Sequence, residues 1–160
     1  MTRSRWPAQA PPEELGAVVH GPVVLARSPG IAAGLRCVFA HPTGLHLPVV
    51  VRAEGVQAEA AGRRTFPGAR GREVLEPAPW SGLQLSVQVD GESRTVDAAG
   101  QESSGSIDRF SAEAVYWVGA LPTDGQLGIS VGWPQAGLAE ATTVLALEGL
   151  DDLATRVLSL

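Results

Sequence analysis

The chain has 160 residues, of which 44% are hydrophobic and 18% are charged, and its formal net charge at pH 7 is −5. This is the size of one ordinary domain, which can bury enough surface to fold without disulfides or a metal. All 12 basic residues are arginine, because the sequence contains no Lys, and it contains no Asn either. Chemistry that requires those side chains, such as a Schiff base, a P-loop or a Cys-His-Asn triad, is therefore excluded.

Residues 1–14 are rich in proline and lack the apolar run of a secretory signal. We expect this segment to be flexible and residues 15–160 to form a single domain. No stretch reaches 18 uncharged apolar residues, so a membrane-spanning helix is not expected. Cys37 is the sole cysteine and cannot form an intrachain disulfide, which fits a reducing compartment. A cytoplasmic location follows as the expectation.

The first predicted strands precede residue 54. Residues 17–27 predict one strand, or two strands that are interrupted at 21–22. Residues 35–51 predict a hairpin with a three-residue turn at 42–44 and a glycine in the left-handed position. The pairs in that register are Phe39 with Leu47, Cys37 with Val49 and Leu35 with Val51.

Two consequences follow from that register. Cys37 points into the core, where a thiol is inert. Pro48 has no N–H to donate to a neighbouring strand, so residues 45–53 are predicted to form an edge strand.

Residues 54–72 and 99–106 carry Gly, Ser, Ala and charge without periodicity, and they are predicted to be long, mobile loops.

Two later hairpins have turn signals of the same kind. Residues 83–90 alternate strictly between apolar and polar and end in Asp90-Gly91, which predicts a hairpin that returns over residues 93–98. A turn at Asp124-Gly125 predicts a further hairpin over 116–133. Its pairs are Pro122 with Leu127, Ala120 with Ile129, Val118 with Val131, Tyr116 with Trp133 and Trp117 with Gly132.

The end of the chain predicts one more strand over residues 141–148 and then a short closing helix. Leu150, Leu153, Ala154, Val157 and Leu158 follow helical spacing. Many short strands separated by turn signals indicate an all-β fold, namely an antiparallel β-sandwich with a short C-terminal helix, or alternatively a partly closed barrel.

No constellation in the sequence identifies a catalytic or metal site. The segment 128–132 matches the letters of a hydrolase nucleophile elbow, but Ser130 lies mid-strand and all three histidines precede it. Cys37, His41 and His46 do not converge in the predicted register and lack the paired spacings of a zinc site. We therefore expect no catalytic residue, no metal and no cofactor.

A cluster of arginines gives the chain its strongest charge feature. Residues 1–72 carry nine Arg against four acidic residues, a net +5, whereas residues 73–160 carry three against thirteen, a net −10. The two halves could neutralise each other within the fold or across a homo-oligomer contact. A chain of net −5 is a poor ligand for nucleic acid, so binding through this cluster is a weak alternative. The clustered residues are Arg63, Arg64, Arg70 and Arg72.

The tryptophans supply the second candidate surface. Tyr116 and Trp117 are adjacent in a predicted strand and must point to opposite sides of the sheet. One of them therefore lies outside the core, or the sheet is covered on both sides. A partly exposed Trp117, or Trp80 in its proline-rich loop, is the type of anchor that interfaces favour.

Several segments together resemble a group of uncharacterised actinobacterial all-β domain proteins. They are 27–36, 44–47, Val115-Tyr116-Trp117-Val118, Leu121-Pro122, Gly132-Trp133-Pro134 and 137–141. The likeness covers about residues 23–158, and its specific parts are the Tyr-Trp-Val strand and the Trp-Pro corner. The resemblance implies an all-β fold with a C-terminal helix, and it implies no activity.

These observations favour a non-catalytic protein interaction or assembly module, with a protein partner or a homo-oligomer and without a membrane. The alternative is a β-sandwich that binds a small ligand or carbohydrate on Trp117 or Trp80. Weak nucleic-acid binding through the loop from Arg63 to Arg72 is a further alternative. A hydrolase is the least favoured, because the motif context does not support one.

Overall fold

The structure is a computed structural model that describes residues 5–65 and 82–160. In those residues the strands are β1 (Arg5–Trp6), β2 (Ala17–His20), β3 (Val23–Ser28), β4 (Ile31–Leu35), β5 (Val38–His41), β6 (Gly44–Glu54), β7 (Gln84–Val89), β8 (Glu92–Val96), β9 (Ala98–Gly105), β10 (Arg109–Val118), β11 (Gln126–Trp133) and β12 (Leu138–Ala146). The helices are α1 (Gly55–Thr65) and α2 (Leu153–Arg156), with 3-10 turns at Pro134–Ala136 and Leu150–Asp152.

The strands form two sheets. The smaller sheet has the order β1-β8-β7-β11-β12, and the larger has the order β2-β5-β6-β10-β9, with β3 paired to β4 and β4 paired to β6. All pairs are antiparallel except that of β1 with β8. The predicted all-β sandwich is therefore confirmed, and so is the short C-terminal helix.

One apolar core lies between the sheets. Alternate residues of β6, β10, β7 and β11 point into it and are buried, as the period of two requires. Phe110 of the larger sheet meets Trp133 of the smaller edge to face, with ring centroids 5.8 Å apart. At one side the segment that follows β12 reaches the larger sheet, where the backbone N–H of Glu148 donates to the carbonyl of Val19 over 2.9 Å.

The hairpin of β7 and β8 forms as the sequence predicts. Val89 pairs with Glu92 across a two-residue turn. Asp90 and Gly91 both have positive φ, at 51° and 82°, which is the geometry that twists a tight hairpin in the right sense. The Asp90 carboxylate also accepts a hydrogen bond of 2.8 Å from the backbone N–H of Thr123. The conformation of the turn thus follows from its own two residues, and Asp90 also connects the turn to Thr123.

The hairpin predicted over residues 35–51 has a different register. His41 pairs with Gly44 across a two-residue turn, and Phe39 pairs with His46 and points outward. Leu35 pairs with Val49, because the residues between β4 and β5 interrupt the strand. Cys37 lies in that interruption and is half-buried, so its predicted inward position opposite Val49 is wrong.

The predicted edge strand is central, with β4 and β5 on one side of it and β10 on the other. Pro48 is tolerated there for a geometric reason. Its carbonyl accepts a 3.0 Å hydrogen bond from the N–H of Arg36, and the N and O of one residue point to the same side of an extended strand. The missing N–H of Pro48 therefore faces the break between β4 and β5, where no ladder bond is lost.

The hairpin predicted over residues 116–133 does not exist. The turn at Asp124-Gly125 forms, but it joins β10 of the larger sheet to β11 of the smaller one. Trp117 consequently pairs with His46 and not with Gly132. The sequence signal for the turn is correct, and the assumption that its flanking strands pair is wrong.

Both predicted loops are ordered elements over their described residues. Residues 55–65 form α1, which buries Ala58 and Ala61 on one side. Residues 98–105 form β9, which pairs with β10 along the edge of the larger sheet. Residues 66–72 lie outside the described part of the chain, so the prediction for them stands as it was.

The remaining predictions concern the two ends and the membrane. Residues 17–27 form two strands, β2 and β3. Within the segment predicted to be flexible, Arg5–Trp6 is held in the smaller sheet by β8, and the Arg94 guanidinium lies 4.5 Å from the Trp6 ring centre. Among the described helices, neither is long and apolar enough to cross a membrane.

Candidate interaction surface

Trp117 lies on the outward side of the larger sheet and is nevertheless buried, with 4% of its surface exposed. It belongs to a small cluster outside the main core, in which its ring meets that of His41 at 5.6 Å edge to face. The indole lies over Gly44, where a β carbon would come within 2.8 Å of the ring. Tyr116 points into the core. The sheet is thus covered on both sides here, and Trp117 is not the exposed anchor that the sequence suggests.

His41 is a buried histidine at the end of β5, beside the turn to β6. It is 2% exposed, and its Nδ1 lies 3.1 Å from Oε1 of Glu14. A β carbon on Gly16 would lie 2.6 Å from Nε2 of His41, so the backbone of residue 16 closes that edge of the ring. The pair therefore orients the ring and ties the N-terminal segment to the sheet, and it leaves no open ring nitrogen to act on a substrate.

His46 lies beside this cluster and stacks on Phe39, with ring centroids 5.3 Å apart. Its Nε2 is buried and has no hydrogen-bond partner among the described residues. Burial, and to a smaller extent the neighbouring His41, lower the pKa of His46. The imidazole is therefore held neutral at pH 7.

This shift predicts a pH dependence of stability. The pKa of His46 is lower in the folded state than in the unfolded chain, so the unfolded chain binds the proton first as the pH falls through about 6.5. The free energy of unfolding should therefore fall between pH 7 and pH 5, and the fall should be shallower in His46→Gln. Urea unfolding at several pH values measures this. Equal pH slopes in the two proteins would contradict the assignment.

Cys37 and Ser130 do not lie in reactive settings. Burial raises the pKa of the Cys37 thiol, although the charge of Arg36 acts in the opposite direction. Ser130 lies in the middle of β11 with its hydroxyl 2.7 Å from that of Thr142. All three histidines are in strands of the larger sheet, whereas Ser130 is in the smaller one. In residues 5–65 and 82–160, no three His, Cys, Asp or Glu side chains are placed to hold a metal ion.

The arginine cluster is described in part. Arg63 lies on α1, is exposed, and its Nη1 is 3.9 Å from Oε1 of Glu59 one turn earlier. The backbone of Arg64 is in the same helix. Arg70, Arg72 and Trp80 lie outside the described residues, so their proposed role remains a prediction. An exposed pair such as Arg63 with Glu59 contributes little to stability.

The outward side of the larger sheet, which we call the outer face, is unusually apolar. Val18 and Val24 are each 52% exposed there, and Phe39, Pro48, Val50 and Val115 are half-buried. Charged residues lie among and beside them: Arg27 on β3, Arg36 after β4, Arg52 on β6, Glu113 on β10 and Glu102 on β9. The ion pair of Arg36 with Glu113 crosses β6 next to Pro48 and Val50. Solvated sheet faces normally alternate to polar residues at these positions.

A groove of about 460 Å³ crosses the outer face above β4. Gly34 forms its floor, and the nearest atom to a β carbon there would be the carbonyl oxygen of Val23 at 3.5 Å. Val24 and Val50 line the groove together with Arg36 and Arg52. The groove offers apolar contact and positive charge together, which suits a side chain with an aliphatic stem and a carboxylate.

The two charge halves of the sequence meet in the fold. Arg5 binds the Asp97 carboxylate through two nitrogens, at 2.6 to 2.9 Å, and Arg36 pairs with Glu113 across the outer face. The Arg36 guanidinium holds the pKa of Glu113 below its usual range. Part of the charge asymmetry is therefore neutralised within the fold, while Arg27, Arg52 and Glu102 form no ion pair within the described residues.

Comparison with known proteins adds no relative to this description. No protein-family model matches the chain, and a search of curated proteins finds none that is significantly similar to it.

Proposed function

We propose that the chain is a non-catalytic protein-interaction module that binds its partner through the outer face. The observation that supports this is the pair of half-exposed valines, Val18 and Val24, on a sheet face whose neighbours are also apolar. Isolated exposed apolar residues are ordinary, but a group of exposed and half-buried apolar residues with charged residues beside them is typical of a protein contact.

The charged border supports the same function. Arg36 and Arg52 flank the groove above Gly34, and Arg27 and Arg52 have no ion-pair partner among the described residues. Charges at the rim of an apolar patch steer association and select the partner. A polar partner surface without apolar groups would leave the valines uncovered, so the partner is expected to present an apolar centre with carboxylates beside it.

The earlier candidate surfaces contribute differently. Trp117 is buried over Gly44 at one end of the outer face, so its ring is not accessible as a stacking platform for a sugar ring. Arg63 is exposed but lies on α1. The outer face is therefore the surface on which the proposal depends.

Affinity purification followed by quantitative mass spectrometry tests the proposal. Val24→Glu combined with Val50→Glu places two carboxylates in the middle of the patch, and partners of the outer face should be depleted at least about tenfold. Both changes are on the outward side of the sheet, so the fold should persist, which circular dichroism checks.

The control is Val144→Glu, since Val144 is an exposed valine on β12 at the outward side of the smaller sheet. It should leave the recovered partners unchanged. Equal recovery of every partner by wild type and the double variant would contradict the proposed surface.

A further inference from the structure

One cross-strand row of the outer face runs from the groove above Gly34 to the edge strand β9. Gly34, Val50, Glu113 and Glu102 are directly opposite one another in turn across β4, β6, β10 and β9. At the β4 end the row is flanked by Arg52 and by Arg36, which is paired with Glu113, and at the β9 end it carries the carboxylate of Glu102, which forms no ion pair with a described residue. Such an arrangement is complementary to itself when it is turned around.

A two-fold axis defines which residues of the two copies meet. If the axis lies in the contact plane, parallel to the strands and midway between β6 and β10, it exchanges β6 with β10 and β4 with β9. Because Gly34 and Glu102 share a row, Glu102 of a second copy then lies over Gly34 of the first. Its carboxylate enters the groove that Arg36 and Arg52 flank, and symmetry repeats the contact.

One apolar pair matches under the same operation. Pro48 of β6 pairs with Val115 of β10 within one chain, so the axis places Pro48 of each copy over Val115 of the other. Two sheets pack face to face about 10 Å apart with strands inclined by about 30°, which leaves room for these side chains to interdigitate. The axis thus pairs Glu102 with the groove and Pro48 with Val115, and it places Glu113 of each copy over Val50 of the other.

We infer that the outer face binds a second copy of this chain, as an isologous dimer in which Glu102 of each copy docks between Arg36 and Arg52 of the other. This inference rests on the proposed function and names a partner for the part of the outer face on β4, β6, β10 and β9; Val18 on β2 and Val24 on β3 lie outside this contact. It accounts for Arg52 and Glu102, which are exposed and form no ion pair with any residue in 5–65 or 82–160.

The size of the contact sets its strength. Four strands about 4.8 Å apart and four outward rows about 6.7 Å apart give a projected area of about 500 Å² on each copy. Stable interfaces bury about 800 Å² on each partner, so this dimer belongs to the weak, reversible class. The protein should dissociate on dilution, and sedimentation equilibrium between about 1 μM and 1 mM covers the range.

Reversing the two charges separately tests the geometry. Arg52→Glu places a carboxylate against Glu102 of the second copy, and Glu102→Arg places a guanidinium against Arg36 and Arg52. Each variant alone should dimerise at least about tenfold more weakly than wild type. An equimolar mixture should form a heterodimer, because glutamate at 52 of one copy then meets arginine at 102 of the other, while the second contact is native.

The outcomes separate this inference from the proposed function. Recovery of association in the mixture and not in either variant supports the dimer. A monomer at every concentration, or variants that associate as wild type does, overturns it. If the protein is monomeric but Val24→Glu with Val50→Glu still loses its purified partners, the outer face binds a different protein and the proposed function stands. If neither experiment responds, both fail.

Discussion

Gly44→Ala is expected to destabilise the protein by about 3 kcal/mol or more, because a β carbon there has no space. It would lie 2.1 Å from the carbonyl oxygen of Val118 and 2.8 Å from the Trp117 ring. Val118 belongs to β10, which pairs with β6 at this end. The strands must therefore separate, or the backbone of one must shift, and the Trp117 and His41 cluster moves with them. Urea unfolding followed by tryptophan fluorescence measures the loss.

Gly34→Ala is the matched control, since both glycines lie in strands of the larger sheet. The nearest atom to the new β carbon would be 3.5 Å away, which is an ordinary contact. Alanine also lowers the conformational entropy of the unfolded chain. The free energy of unfolding should change by less than about 1 kcal/mol. Similar losses in the two variants would show that the space at Gly44 is not the cause.

Trp133→Ala is expected to cost about 3–5 kcal/mol, the range for removing a fully buried large aromatic residue. Trp133 is completely buried and packs edge to face against Phe110 of the opposite sheet. A β carbon on Gly82 would lie 2.4 Å from its ring, so the chain has left space for the indole on that side as well. Removal opens a cavity where the two sheets meet.

Trp117→Ala provides the comparison, because it removes the same side chain from the cluster outside the main core. Fewer layers surround Trp117, and the neighbouring segments can relax into the space, so the loss should be smaller than at position 133. The midpoints of urea unfolding give both values on one scale. An equal or larger loss in Trp117→Ala would contradict the division into a main core and an outer cluster.

Local signals in the sequence predict local structure well. Asp90-Gly91 forms a tight turn because both residues tolerate positive φ, and strict alternation on either side fixes which residues are buried. The short C-terminal helix follows from the same kind of information. The sequence left open whether residues 17–27 form one strand or two, and the structure has two, separated at 21–22.

Pairing between distant strands is not contained in such signals. Asp124-Gly125 is also a good turn, but whether its flanking strands pair or pass to different sheets depends on contacts far along the chain. β10 instead pairs with β6 and β9. Because of the wrong pairing, Trp117, one of the candidate site residues, was expected to be partly exposed on a hairpin, whereas its ring is buried.

Small residues explain the two missed elements. α1 is held by Ala58 and Ala61, which lie three positions apart and are buried although they give little hydrophobic contrast. β9 has the composition of a loop, and its pairing with β10 determines its conformation. The outer face was likewise missed because its valines and arginines come from strands that are adjacent only in the folded sheet.

The break between β4 and β5 has a mechanical consequence. β6 carries two separate strips along one side: β3 with β4 at one end and β2 with β5 at the other. At the junction the N–H of Arg36 donates to the carbonyl of Pro48, and the two strips are joined only by the two-residue segments 21–22 and 36–37, so these short segments must transmit any displacement of one strip to the other. The larger sheet is therefore discontinuous along one side of β6. The groove above Gly34 lies on one side of the discontinuity, and the His41 cluster lies on the other.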